Sequence, residues 1–167
     1  MSVEVRTTTI SDVPELHSAI DKVAREERWL GASRALPLKQ MKAFVQGLLD
    51  AGEPHYVAVA EGMVVGWCDI ARYPADSRRH CGRLGMGLLA NWRGGGSGHR
   101  LLTAALDHSD ALPLDRVELD VVADNQAAIA LYDRMGFVRE GVRNGAWQLG
   151  GVTRDMVVMG RRNPQMG

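Results

Sequence analysis

The chain has 167 residues, 20 Lys+Arg against 20 Asp+Glu, and 46% hydrophobic residues. That size and composition predict one domain over residues 1–167, able to bury roughly 68–70% of its unfolded surface without a disulfide or a metal. Zero net charge argues against a protein that works by neutralising nucleic-acid phosphates.

No apolar run approaches 18 residues, and MSVEVRTTTI is not a basic segment followed by an apolar one. The expectation is therefore neither a membrane partner nor secretion. Cys68 and Cys81 form no CxxC pair and have no His at zinc-like spacing, which predicts free thiols, a reducing cytoplasmic setting and no metal.

Residues 3–7 alternate in strand fashion. Ser11 or Asp12 can cap a helix with Pro14 in its first turn and Ala19, Ile20 and Val23 among its apolar residues. Residues 30–37 break the pattern, and Met41, Phe44, Val45, Leu48 and Leu49 then recur at helical spacing over 38–49. From Tyr56 the runs YVAVAEG and MVVGWCDIARY read as strands joined at Glu61-Gly62 by a tight hairpin.

A loop with Pro74 leads to a strand over 81–89. RGGGSGHRLLTAALDHSD follows as a glycine loop opening into a helix that ends before Pro113. Val117, Leu119 and Val121 share one face of a strand over 116–122. Asp124 can cap a helix over 125–135, which Gly136 closes in left-handed conformation. Two last strands, 137–142 and 155–159, are joined by a glycine-bearing loop. The predicted order is β-α-α-β-β-β-α-β-α-β-β, an α+β domain.

Nineteen glycines are about 11% of the chain against roughly 7% in ordinary proteins. Seven of them, Gly82, Gly85, Gly87, Gly94, Gly95, Gly96 and Gly98, fall within 17 residues. The last four lie between a strand and a helix, where backbone N–H groups and the helix N-terminus can cradle a phosphate, with Arg93 and Arg100 as flanking charges. GxxxxGK[ST] is absent, which disfavours nucleoside triphosphate hydrolysis. GMGLLA at 85–90 fits GxGxxA, yet it falls inside a strand.

RxxGxG from Arg93 to Gly98 and ADNQAAIALYDRMGF over 123–137 together resemble the two signature motifs of the GNAT superfamily of N-acetyltransferases. The resemblance implies a mixed, mostly antiparallel sheet of six to seven strands flanked by about four helices and splayed between its fourth and fifth strands. It implies acetyl-CoA as cofactor, held by Met86, Leu88, Leu89 and Ala90 on the strand, by Arg93, Gly94, Gly95, Gly96, Ser97, Gly98, His99 and Arg100 at the pyrophosphate, and by Asn125 and Tyr132 along the pantetheine arm. Ala90 stands where many relatives carry Pro, and Asn91 where acidic residues are common.

By the same resemblance Tyr132 is the general acid for the departing thiolate, and the Leu88 backbone N–H is the oxyanion donor beside a bulge that Gly85 and Gly87 make plausible. Asn125 and Tyr132, seven apart, are about 20° short of two helical turns and so share a stripe. From the helix alone, Tyr132 reads first as a core aromatic completing the face of Ala128, Ile129, Leu131 and Met135. Candidates for the base are Asp69 and His80, with Cys81 and Asp155 behind them, or water alone. Trp29, Arg34, Tyr73 and Asp155 are candidates for the acceptor pocket, and Trp67 fits either pocket or core.

The tail FVREGVRNGAWQLGGVTRDMVVMGRR is similar, through Glu140-Gly141, Arg143, Asp155 and Met159, to amino-acid, polyamine and ribosomal-protein acetyltransferases. The implied activity is transfer of acetyl to a primary amine of a small molecule or amino acid. A protein N-terminus is the alternative acceptor, a non-catalytic acyl-CoA sensor the alternative class, and a homodimer the expected assembly if there is one.

Overall fold

A computed structural model describes residues 2–166. Strands β1 (Glu4–Thr7), β2 (His55–Ala60), β3 (Met63–Arg72), β4 (Cys81–Leu88), β5 (Arg116–Val122), β6 (Val138–Leu149) and β7 (Val152–Arg162) form one sheet in the order β1-β2-β3-β4-β5-β7-β6. Every neighbouring pair is antiparallel except β4 and β5. With helices α1 (Val13–Ala24), α2 (Leu38–Asp50), α3 (Ser97–Asp110) and α4 (Gln126–Arg134), the element order is the predicted one.

Two apolar cores follow from the alternation of β2 and β3. Val57, Val64 and Trp67 pack with Leu16, Ala19 and Val23 of α1 and Met41 and Val45 of α2. Ala58, Cys68 and Ile70 pack with Leu101, Leu102 and Leu106 of α3 and Ile129 and Tyr132 of α4. Neighbours along a strand thus go to opposite layers, as the pleat requires. Both cysteines are free and buried.

At the chain's start, Asp12 accepts the Thr9 backbone N–H (2.8 Å) and a two-pronged bond from Arg6 (2.8 and 2.9 Å). Those donors push its carboxyl down to about 2. At the far side Arg161 of β7 grips Asp110 through two bonds of 2.8 Å and also donates to the Met135 carbonyl (3.1 Å), tying the ends of α3 and α4 to the sheet.

Three local expectations are corrected. The last two strands are far longer than predicted, because two register shifts, between Arg139 and Gly141 and between Arg143 and Trp147, break the alternation that would reveal them. The turn is Gly150-Gly151, both at positive φ, and not the whole glycine-bearing stretch. Asn125, not Asp124, caps α4, accepting the Ala128 N–H (3.3 Å), while Asp124 pairs with Arg154 (3.1 Å).

The third concerns β4. Its register with β3 runs unbroken from Arg72↔Gly82 to Gly66↔Leu88, so it carries no bulge there; the irregularity lies in the β2–β3 ladder, where Ala58 pairs with Gly66 and Val59 with Val64, and Val65 of β3 is the extra residue. Gly87 is there for space, since a Cβ on it would stand 2.6 Å from Trp67 Cζ2. The splay itself is present. β4 and β5 pair only through Cys81↔Arg116, Gly82↔Val117 and Arg83↔Glu118.

Candidate active site

In an antiparallel ladder the N–H and C=O of one residue point to the same neighbour and alternate along the strand. The Cys81 carbonyl accepts from Tyr73 (3.1 Å) and the Leu89 N–H donates to Val65 (2.9 Å), so odd-numbered residues of β4 face β3. Leu84, Met86 and Leu88 therefore face β5, whose ladder has ended at Arg83. Arg93 Nε takes the Leu88 carbonyl (2.9 Å), which leaves the N–H groups of Met86 and Leu88 without a strand partner.

The glycine loop lies immediately beyond this free edge. Gly96 is the N-cap of α3 at φ 89°, and Gly94 is also left-handed at 77°. Side chains at Gly94, Gly95 or Gly96 would meet nothing within 4 Å, whereas one at Gly98 would touch Leu88 and Leu131. The first three form an open concavity at a helix N-terminus, and Gly98 lets α3 close on β4. Ser97 is buried and His99 exposed.

Both flanking arginines have protein partners. Arg93 makes a fork-to-fork pair with Glu26 (2.7 and 3.0 Å), which holds that carboxyl below the usual range, and Arg100 donates to the Val3 carbonyl (2.6 Å). Glu26 offsets the Arg93 charge, whereas Arg100 meets only a neutral carbonyl, so positive potential at the concavity comes from aligned peptide N–H groups together with Arg100. Leu89 and Ala90 follow β4, with Ala90 starting a short 3₁₀ turn to Trp92.

Tyr132 is buried in the α3–α4 layer, packed on Phe137 with ring centres 5.6 Å apart. Burial, and then the nearby Cys68, push its phenol well up. Cys68 is the register partner of Met86, on the stretch of β4 whose edge is free. Asn125 precedes the helix proper at ψ 69°, so the predicted stripe begins one residue later, and its side chain serves as the cap.

On the opposite layer a cavity of about 310 Å³ lies between α1, residues 30–36, α2 and the sheet. Leu16, Ile20, Met41 and Phe44 supply apolar walls, with Asp69, His55 and Arg34 as polar members. Burial pushes the Asp69 carboxyl up to about 7. It pushes His55 down to about 4, and His55 Nδ1 shares a hydrogen bond of 2.7 Å with the Thr8 hydroxyl.

The other predicted pocket and base residues are dispersed. His80 precedes β4 at the end away from Leu88, and its carbonyl accepts from Asp115 and Arg116. Tyr73 is at that same end, under the Arg78 guanidinium at 3.9 Å, and burial raises the thiol of neighbouring Cys81. Asp155 accepts the Gly145 N–H (2.8 Å) at the β6 bulge, Arg143 pairs with Asp120 (3.0 Å), and Glu140 pairs with Arg116. Trp29 donates to Glu26 (2.8 Å), next to Arg93. Trp67 is core.

No sequence signal marks His55 or Glu26, and Phe44 reads there only as an apolar helix position. Only the 55/69 pairing across β2 and β3 brings His55 to Asp69. Glu26 meets Arg93 across 67 residues. No spacing rule reaches so far.

Residues 18–137 match the sequence profile of the Acetyltransferase (GNAT) family. The chain is 32% identical over 103 residues to the L-amino acid N-acetyltransferase AaaT of Escherichia coli K12, covering 58% of this chain and 64% of that one. It is 35% identical over 102 residues to the N-alpha-acetyltransferase RimI of Mycobacterium tuberculosis, covering 58% and 60%. The chain thus spans less than two thirds of these curated relatives. The crystal structure of a phosphinothricin acetyltransferase from Sinorhizobium meliloti in complex with AcCoA superposes with a TM-score of 0.90 over 98% of this chain and 89% of that one, at 19% identity, and so shares the fold.

Proposed function

The chain belongs to the acetyltransferase (GNAT) family, and from that premise we propose that it is an acetyl-CoA-dependent N-acetyltransferase whose acceptor is the primary amine of a small molecule or amino acid. The observation that carries this reading is the free edge of β4 past Arg83, continuous with the open concavity of Gly94, Gly95 and Gly96. Such an arrangement suits a pyrophosphate on the loop and an amide-bearing arm along the strand. Acetyl-CoA supplies, when bound, an acyl group activated as a thioester.

The chain's own residues divide the remaining work. The Leu88 N–H, with Met86 two residues back, donates to the carbonyl oxygen as negative charge develops there. Asp69 takes the proton from the attacking amine; its elevated pKa makes it a stronger base than an ordinary carboxylate. Tyr132 is protonated throughout the working range and donates a hydrogen bond to the leaving sulfur. In that transfer the C–N bond formed would replace the thioester C–S bond, with the amine's proton passing to Asp69 and the departing thiolate held by the Tyr132 hydroxyl. The buried free thiols of Cys68 and Cys81 agree with a reducing cytoplasm.

Thermal unfolding with acetyl-CoA tests the cofactor, and release of free CoA across amino acids, polyamines and short peptides tests the transfer. Acetyl-CoA should raise the Tm, and Gly95→Trp, placed where a side chain meets no protein atom, should abolish the rise. A Tm unmoved by acetyl-CoA in the parent protein would refute the proposal. Similarity to RimI keeps a peptide N-terminus as the second acceptor to include.

A further inference from the structure

Only three titratable residues line the cavity above β3, and their states differ. His55 is held neutral, with Nδ1 committed to the Thr8 hydroxyl. Arg34 is exposed at the cavity and has no ion-pair partner among the described residues. Its nearest acid in sequence on α1, Asp21, is taken by Arg25 (2.6 Å) and by the Ala35 N–H (3.0 Å), which also fixes the segment that carries Arg34. Among the described residues Asp69 has no cation bonded to it, and it rests against β4 at Gly85. The remaining lining residues, among them Leu16, Ile20, Leu36, Met41 and Phe44, are apolar or glycine.

One cation, one acid and apolar walls line the same chamber and match the three parts of an amino acid. Resting on the function proposed above, we infer that the acceptor is a free α-amino acid with a bulky apolar side chain, its carboxylate on Arg34, its amine at Asp69 and its side chain between α1 and α2. A polyamine would carry a second ammonium into this chamber, where no second acid waits. An acidic or basic amino acid would leave its side-chain charge unpaired against Leu16 and Phe44. A cavity of about 310 Å³ is near the lower end of small-ligand sites and admits one such molecule. Alanine would bind and leave much of the chamber unfilled, and each missing methylene in a pocket of this kind is worth roughly 10-fold or more in kcat/KM.

The position of Asp69 joins this chamber to the transfer site. Its register partner Gly85 adjoins Met86, whose N–H is on the free edge of β4. Gly85 has no side chain to separate the amine from the strand.

The test measures CoA release by the full-length protein with acetyl-CoA and leucine, methionine, phenylalanine, alanine, aspartate, spermidine and leucinamide. The expected kcat/KM for leucine, methionine or phenylalanine is at least 10-fold above alanine and aspartate, with spermidine inert. Leucinamide, lacking the carboxylate, should lose at least 10-fold, chiefly in KM. R34Q should erase the difference between leucine and leucinamide. Equal use of spermidine or aspartate, or an R34Q protein that still prefers leucine to leucinamide, overturns the acceptor class and leaves acetyl transfer standing. If acetyl-CoA raises the Tm but no amino acid is acetylated, the acceptor class again falls alone. Absence of any Tm rise removes the cofactor reading beneath it.

Discussion

Asp69 stands opposite Gly85 across β3 and β4, with its carboxylate oxygens 3.6 and 3.7 Å from the point where a side chain at position 85 would begin. Burial there raises the carboxyl from the ordinary 3.8 to about 7, and two measurable effects follow. As a base it works only when ionised, so kcat should climb with pH through about 7 and then level. D69N should remove that limb and lower kcat by roughly 10²-fold or more, as read from a pH–rate profile.

The stability effect of the same group has the opposite sign. Between about pH 4 and 7 the folded state holds a proton that the unfolded chain has released, so stability falls as pH rises through that window. D69N abolishes the loss. Urea unfolding should show D69N more stable than the parent at pH 8, on the order of a few kcal/mol, and equal to it near pH 3.5. A less active enzyme that is more stable would be the signature of a group held against its own ionisation.

Tyr132→Phe keeps the packing against Phe137 and removes only the hydroxyl. The thermal shift with acetyl-CoA should survive while turnover drops about 10²-fold. Full turnover would make Tyr132 a core residue alone.

Gly95→Ala and Gly96→Ala separate binding from folding. A methyl at either position meets open space, but only Gly96 is left-handed. Gly96→Ala should therefore lose about 1–2 kcal/mol of stability by urea unfolding, with Gly95→Ala near neutral. Both should weaken acetyl-CoA in a titration if the concavity holds its pyrophosphate.

Asp110→Ala leaves the Arg161 guanidinium, whose side chain is 13% exposed, without its partner. Loss of one member of such a pair costs about 3–5 kcal/mol. Urea unfolding should report that loss, with acetyl-CoA affinity unchanged in the folded fraction.

How much of this was legible in the sequence depends on whether a feature is written locally. The glycine loop and the α4 motif are contiguous, so their elements and their places beside the splayed strands could be anticipated. Asp69 was visible only as one acid among several; its separation from His80 and Asp155 depends on which strand ends adjoin the cleft. The cavity was invisible, because Leu16, Phe44, His55 and Asp69 come from four elements that read as ordinary core or surface. The length of β6 is hidden in the sequence because its bulges interrupt the period that identifies a strand.

The alternation of β4 has a consequence for how this segment can vary. Its odd positions are stitched to β3 and its even positions present peptide groups to the cleft, so the strand is read in steps of two. A single-residue deletion anywhere from Leu84 to Leu88 would shift that frame, turn the presented N–H groups inward, and put the side chains of Met86 or Leu88 where Trp67 and Asp69 stand. Point changes at Met86 should be mild by comparison, because the peptide stays where it is. Along these residues the length of the chain is constrained more tightly than its spelling.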